Sequence, residues 1–332
     1  MRGLKEGFLA SILALLPCSA VPAGELGGIG VLGDSYSDEY QFYSPDRMTS
    51  RNWVEILAGT RGLNFGQFST VSRGQPRNQG YAFNWAQSDA TTDDLLAAGQ
   101  HTGLAAQVRS GEVSVVVIFI GGNDFIHALG STNPATALDD VLPRAMANYR
   151  VALETILNAS PQVKVVAVTV PDIRDLPMIR GAVRDRSLPP ALLDRYSAAL
   201  QTYNTQIRSL ALIQPRVAVA DFDLAAKIAN RFSRDHTLIG GRRLDRIESG
   251  NDLDHLFLAD QRHFGTLGQG LMAQMVVNAI DTKFAATIAP LSDRDIASFA
   301  ASFSEPASNS PSFATLGANG PDAEGRLPMG AR

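Results

Sequence analysis

Apolar residues fall along the chain in short β-branched blocks separated by longer stretches of helical spacing. The clearest blocks are residues 28–33, 113–120, 163–170 and 216–220. Each has the length of a strand, is nearly continuous in apolar or small residues, and gives way to small or polar residues. That is the pattern of strands buried on both faces. Between them, Leu142, Met146, Tyr149, Leu153 and Ile156 recur at helical spacing and predict a helix over 137–158. Further helices are predicted over 50–58, framed by Ser50 and Gly59, and over 93–109, capped by Thr91 or Thr92 with Asp93 and Asp94 in the first turn. Two more follow over 192–212 and 267–284. Residues 66–80 read as a surface loop and the segment from Tyr81 as a short strand. The arginine-rich stretch 173–195 is expected over the cleft side, and 231–258 as a charged, irregular insertion. Strands alternating with helices imply an α/β fold on a parallel sheet.

Composition changes this picture mainly at the two ends. The chain has 332 residues, 45% of them hydrophobic and 19% charged, with a formal net charge of −4. These values fit a globular protein with ample core, and no basic run marks a nucleic-acid partner. Residues 1–23 differ. Arg2 and Lys5 precede an apolar run from Phe8 to Leu16, and Val21-Pro22-Ala23 offers small residues for cleavage, with Cys18-Ser19-Ala20 as a second choice. The expectation is a signal peptide and a secreted or periplasmic protein. The run is too short for a stable membrane anchor. Cleavage after Ala23 would remove Cys18, the single cysteine. From about residue 300 onward Ser, Ala, Pro, Gly and Asn dominate, which predicts disorder. The expected organisation is a signal peptide over 1–23, one domain over 24–290 and a C-terminal tail over 291–332.

Three short stretches carry candidate chemistry. Gly33-Asp34-Ser35 ends the first strand, and ligands in open parallel sheets bind at the carboxyl ends of strands. A serine there needs a base to become a nucleophile, usually a histidine held by a carboxylate. Asp260-Gln261-Arg262-His263 offers such a pair. So does a second copy, Asp252-Leu253-Asp254-His255. Gly121-Gly122-Asn123-Asp124 follows the central strand and brings an amide that can donate to an oxyanion. Two other patterns are set aside. The glycines of Gly28-Ile29-Gly30-Val31-Leu32-Gly33 match a dinucleotide fingerprint in letters only, since they lie inside the strand. Asn251, Asp252 and Asp254 make an incomplete calcium loop. No metal and no cofactor is expected.

Together, Gly33-Asp34-Ser35, Gly121-x-Asn123-Asp124 and Asp260-x-x-His263, in that order, resemble the GDSL, or SGNH, hydrolase family. The resemblance implies a three-layer α/β/α fold with a flavodoxin-like, mostly parallel sheet of about five strands. It implies Ser35 as nucleophile, His263 as base and Asp260 as its orienting carboxylate. It favours His263 over His255, because a Thr and a long amphipathic helix follow His263, although the family's usual proline is missing there. Ser35, Asn123 and the residue at position 89 would form the oxyanion hole, with Gly33, Asp34, Gly121 and Asp124 supporting the motifs. The family loop often reads Asn-x-Ala-x-Ser-Gly-Ala. This chain has Asn84-Trp85-Ala86-Gln87-Ser88-Asp89-Ala90, with Asp89 in the glycine's place. A backbone N–H survives that change. The carboxylate would repel an oxyanion unless it points away or caps the helix at 91. The implied function is an exported serine esterase acting on a small-molecule, lipid or acylated-glycan ester. Carbohydrate O-acetylesterase, lipid acylhydrolase and a binding protein on the same scaffold remain the alternatives.

Overall fold

The computed structural model describes residues 26–71 and 79–304. The expected signal peptide and everything after residue 304 lie outside the described residues. The chain runs β1 (Gly28–Gly33), α1 (Trp53–Arg61), β2 (Phe68–Ser69), β3 (Gly80–Tyr81), α2 (Thr92–Ala97), α3 (Gln100–Arg109), β4 (Val113–Phe119), α4 (Gly122–Leu129) and α5 (Pro134–Ala159). It continues through β5 (Lys164–Val168), α6 (Pro177–Arg184), α7 (Pro190–Ile213), β6 (Val217–Ala220) and α8 (Phe222–Phe232). The last elements are β7 (His236–Ile239), β8 (Arg242–Ser249), β9 (His255–Phe257), α9 (Thr266–Phe284) and α10 (Asp293–Ser304).

The four apolar blocks form one parallel sheet in the order β1-β4-β5-β6. About five strands were expected, and the difference is at the edge. Residues 83–85 bond along β1, with Val31 N donating to Phe83 O and Trp85 N to Val31 O, but only Val31 and Asn84 make a true bridge. The segment is an extended edge rather than a fifth strand. Helices α3, α5 and α7 pack on one another on one side, and α1 and α9 on the other. This is the three-layer arrangement. The sheet residues are buried throughout, so the apolar runs are continuous because both faces are covered.

The glycines of β1 serve packing. A Cβ at Gly30 would run into Leu104 of α3. A strand that needs its glycines to admit a helix is not a phosphate loop.

Several boundaries differ from expectation. The cap of α1 is Asn52, whose side chain accepts from Glu55 N while Glu55 bonds back to the Asn52 N–H; Gly62 at φ 61° ends the helix. Ser50 and Gly59 are not its frame. The helix expected over 93–109 is two helices, because Gly99 takes a left-handed φ of 68°. Thr91 caps α2 as expected. Residues 231–258 are not irregular: β7 and β8 pair antiparallel and β9 joins β8 in parallel. The packed chain also continues past 290. Helix α10 lies against α1 and α9, with Ile296 and Ala300 buried and Arg61 paired to Asp295 at 2.6 Å. Burying one isoleucine of this kind contributes about 1.5–3 kcal/mol toward holding the helix in place.

Candidate active site

Ser35 follows β1, where the chain turns: Asp34 O accepts from the N–H of Ser37 and of Asp38, both at 3.0 Å. Arg47 braces this turn. Its Nη1 donates to Ser88 Oγ at 2.9 Å and approaches Ser35 O at 3.5 Å, and its guanidinium lies 3.8 Å over the Tyr43 ring. The turn that carries Ser35 is thereby tied to the loop 84–90.

His263 arrives from the other end of the chain, on the turn before α9. Its Nε2 lies 2.7 Å from Ser35 Oγ and its Nδ1 lies 2.7 Å from Asp260 Oδ2. The second oxygen of Asp260 accepts the backbone N–H of Arg262 at 3.0 Å and of His263 at 2.9 Å. A carboxylate held this way accepts a hydrogen bond from Nδ1–H, which keeps the proton on Nδ1 and leaves Nε2 as acceptor for the Ser35 hydroxyl. Burial alone would raise the Asp260 carboxyl, but the bond and charge of His263 and the backbone donors hold it at about 2. His263 is shifted down, because its burial outweighs the charge of Asp260. The imidazole is therefore neutral at neutral pH and ready to accept a proton. The Tyr36 ring packs 5.5 Å from His263, and its hydroxyl donates to Arg262 O at 2.7 Å.

Asn123 lies in the first turn of a helix, α4, not predicted from the sequence pattern. Gly121 precedes it at φ 116°, where a Cβ would strike Tyr203. Asn123 Nδ2 donates to Ala90 O at 3.0 Å, and its Oδ1 accepts from Arg262 Nη2 at 2.7 Å. The arginine fixes which way the amide points. One amide hydrogen goes to Ala90, leaving a second for another acceptor. Asp124 turns inward and accepts from both N–H and hydroxyl of Thr92, at 2.9 and 2.6 Å, joining α4 to α2. Its role in the geometry is to anchor the helix.

Asp89 adopts φ 66°, the left-handed conformation that glycine takes freely. Its carboxylate does not cap α2, since Thr91 does that with Asp94. Instead Oδ1 lies 3.1 Å from His127 Nε2 and 3.6 Å from Arg262 Nη2. The hydrogen bond from His127, chiefly, holds the Asp89 carboxyl below its ordinary range. Gly33 is tied in through its backbone, with O accepting from Gln87 N at 3.1 Å. Asp34 is the buried outlier. Desolvation pushes its carboxyl up to about 7, although it accepts the Tyr36 N–H at 3.0 Å.

Arg262, Arg47 and Tyr36 were not singled out by sequence reasoning. Arg262 had a readable signal, since it sits between Asp260 and His263. Arg47 had none, because it reaches the site only through the fold. His127 stands in no motif of the sequence, and the structure gives it Asp89 as partner. Among the described residues, no group of three or more His, Cys, Asp or Glu side chains could hold a metal ion. Asn251, Asp252 and Asp254 bond to three different partners, Asp46, His255 and Arg242. No helix among the described residues is long and apolar enough to cross a membrane.

Solved structures to which the chain is similar include a lipase from a goat rumen metagenome, 14% identical over 76% of this chain and 97% of that one, with a TM-score of 0.46. A carbohydrate esterase of family 3 from Talaromyces cellulolyticus is 18% identical over 78% and 98%, with a TM-score of 0.43. No curated protein matches the chain. The model of the GDSL-like Lipase/Acylhydrolase family matches residues 29–276, from the first residues of β1 into α9, and the chain belongs to this family of ester-bond hydrolases.

Proposed function

We propose that the protein hydrolyses carboxylic esters through an acyl-enzyme on Ser35, and that it does so after export. The observation that carries the reading is the unbroken chain of contacts from Asp260 through His263 to Ser35, 2.7 Å at each step. Ser35 Oγ attacks the ester carbonyl carbon while His263 Nε2 takes the hydroxyl proton. The carbonyl oxygen gains charge and is met by the free amide hydrogen of Asn123 and by the N–H groups of Ser35 and Asp89. As the tetrahedral adduct collapses, the bond to the alcohol oxygen breaks and His263 returns the proton to it. Water then attacks the acyl group by the same route in reverse, releasing the acid and restoring Ser35. Asp260 stays ionised and stabilises the imidazolium. Nothing in this cycle requires a cofactor. Export rests on the charged and apolar pattern of residues 1–23.

The test is Ser35→Ala, assayed on p-nitrophenyl esters beside labelling by an organophosphonate. Turnover should fall by about 10³-fold or more with the fold intact, and the label should sit on Ser35 alone. Substantial turnover in Ser35→Ala overturns the assignment. Export is tested separately, by the N-terminus of the protein recovered from outside the cytoplasm.

A further inference from the structure

Arg47 and Arg262 both stand close enough to His263 for their charges to add to burial in lowering its pKa. The two arginines are not equivalent. Arg262 is committed: its Nη2 donates to Asn123 Oδ1 at 2.7 Å and faces Asp89 Oδ1 at 3.6 Å. Arg47 is also held in place, but only by neutral groups. Its guanidinium lies 3.8 Å over the Tyr43 ring, and its Nη1 donates to Ser88 Oγ at 2.9 Å and approaches Ser35 O at 3.5 Å. Among the described residues no carboxylate pairs with it, and its Nη2 and Nε have no hydrogen-bond partner. Both atoms are open to solvent.

The carboxylates of this region have other partners. Asp38 is buried and accepts from the Tyr43 hydroxyl and the Ser88 N–H. Asp46 accepts from Asn251 Nδ2 at 2.6 Å. Asp89 meets His127 and Arg262, and Asp260 meets His263. Arg47 is nevertheless beside the reacting groups: the Tyr40 ring lies 5.7 Å from its guanidinium carbon and 5.9 Å from the His263 ring. A guanidinium stacked on an aromatic ring has its plane set before a ligand arrives, so binding one costs little further order. The ligand that suits such a fork of N–H groups is a carboxylate, which can accept two of them at once.

We propose, resting on the ester-hydrolase reading of Ser35, that Arg47 is a specificity residue for esters that carry a carboxylate near the scissile bond. With the ester carbonyl at Ser35, the substrate carboxylate, on the alcohol or the acyl half, accepts from Arg47 Nη2 or Nε. The substrate thereby supplies the counter-charge that the fold leaves out.

The experiment compares matched charged and neutral esters on the full chain. The alcohol-side pair is 3-acetoxybenzoate and methyl 3-acetoxybenzoate. The acyl-side pair is 4-nitrophenyl hydrogen adipate and 4-nitrophenyl methyl adipate. In at least one pair the anion should raise kcat/KM by about tenfold or more, the value of a charge-assisted bond, chiefly through KM because the contact forms before the transition state. The pair that shows it tells which half carries the charge. In Arg47→Gln that ratio should fall to about one, while Arg47→Lys, which keeps the charge, should retain part of it. Loss of the Ser88 contact slows both members of a pair alike, so the ratio separates recognition from bracing. Equal kcat/KM within both pairs, or a ratio that survives Arg47→Gln, overturns the assignment of Arg47. Should Arg47→Gln not fold, the parent's ratios and Arg47→Lys still decide. Turnover of none of these esters by the parent overturns the reading of Ser35, and this proposal with it.

Discussion

The chain builds the Asp-x-x-His turn twice, and the two copies are locally alike. In the first, Asp252 Oδ1 lies 2.8 Å from His255 Nδ1. In the second, Asp260 Oδ2 lies 2.7 Å from His263 Nδ1. Both histidines therefore have an oriented ring and a partnered carboxylate. The surroundings differ. The side chains of Asp252 and His255 are 59% and 25% exposed, against 25% and 8% for Asp260 and His263. His263 meets Ser35 across the fold, whereas among the described residues the hydrogen bond of the His255 ring is the one to Asp252. The third residue of each turn differs too. Arg262 reaches Asn123, whereas Asp254 pairs outward with Arg242. An oriented Asp–His pair is thus a local product of the turn. A site requires what the turn does not supply: a nucleophile from another strand and a shell that excludes water, which strengthens each charge interaction inside it.

The sharpest way to break this comparison is to delete each histidine. His263→Ala should lower kcat by about 10³–10⁶-fold, while His255→Ala should change it by less than about twofold. Assays of the two purified variants on one aryl ester decide it, and a dead His255→Ala would reverse the assignment of the pairs. Removing the proposed oxyanion donor comes next. Asn123→Ala should lower kcat by about 10²–10³-fold with KM little changed, because the bond tightens only in the transition state. A pure KM effect would make Asn123 a ground-state contact.

The third residues give a smaller contrast. Arg262→Met frees the Asn123 amide to rotate and should cost about tenfold in kcat, since a donor displaced by a fraction of an ångström still functions in part. Asp254→Asn should be silent in the same assay. Equal losses in both would show a stability effect common to the loop and not a positioning role.

The pH profile tests the burial of the second pair. His263 must be neutral to accept the Ser35 proton, and burial lowers its pKa. The acid limb of kcat/KM should therefore have its midpoint below ~6.5, the ordinary histidine value, and the rate should be level at neutral pH. A midpoint above that value would mean that the charge of Asp260 prevails over desolvation.

The smallest effect is expected at Asp89. Glycine suits its φ of 66°, but the exposed carboxylate is already neutralised by His127 and Arg262. Exposed pairs of this kind contribute little, so Asp89→Gly should move kcat by less than about threefold and leave the melting temperature nearly unchanged. A tenfold rise would show that the carboxylate acts on the oxyanion despite its partners.

The sequence by itself determined the sheet and the reacting types. Continuous apolar blocks at residues 28–33, 113–120, 163–170 and 216–220 have one use in a chain of alternating helices, a buried parallel sheet, and the motif residues sit at the ends of its strands or just before α9. Local chemistry also set Thr91 as a helix cap. Tertiary structure decided the rest. It made α4 out of a Gly-Gly-Asn-Asp stretch, because Tyr203 fills the space beside Gly121 and Thr92 anchors Asp124. It ordered β7–β9 and α10, whose stability comes from neighbours and not from their own periodicity. Above all it distinguished two turns that are locally alike. The bond from His263 to Ser35 spans the whole domain, and no window along the chain contains both partners. Burial, which lowers the His263 pKa, belongs to the packed molecule alone.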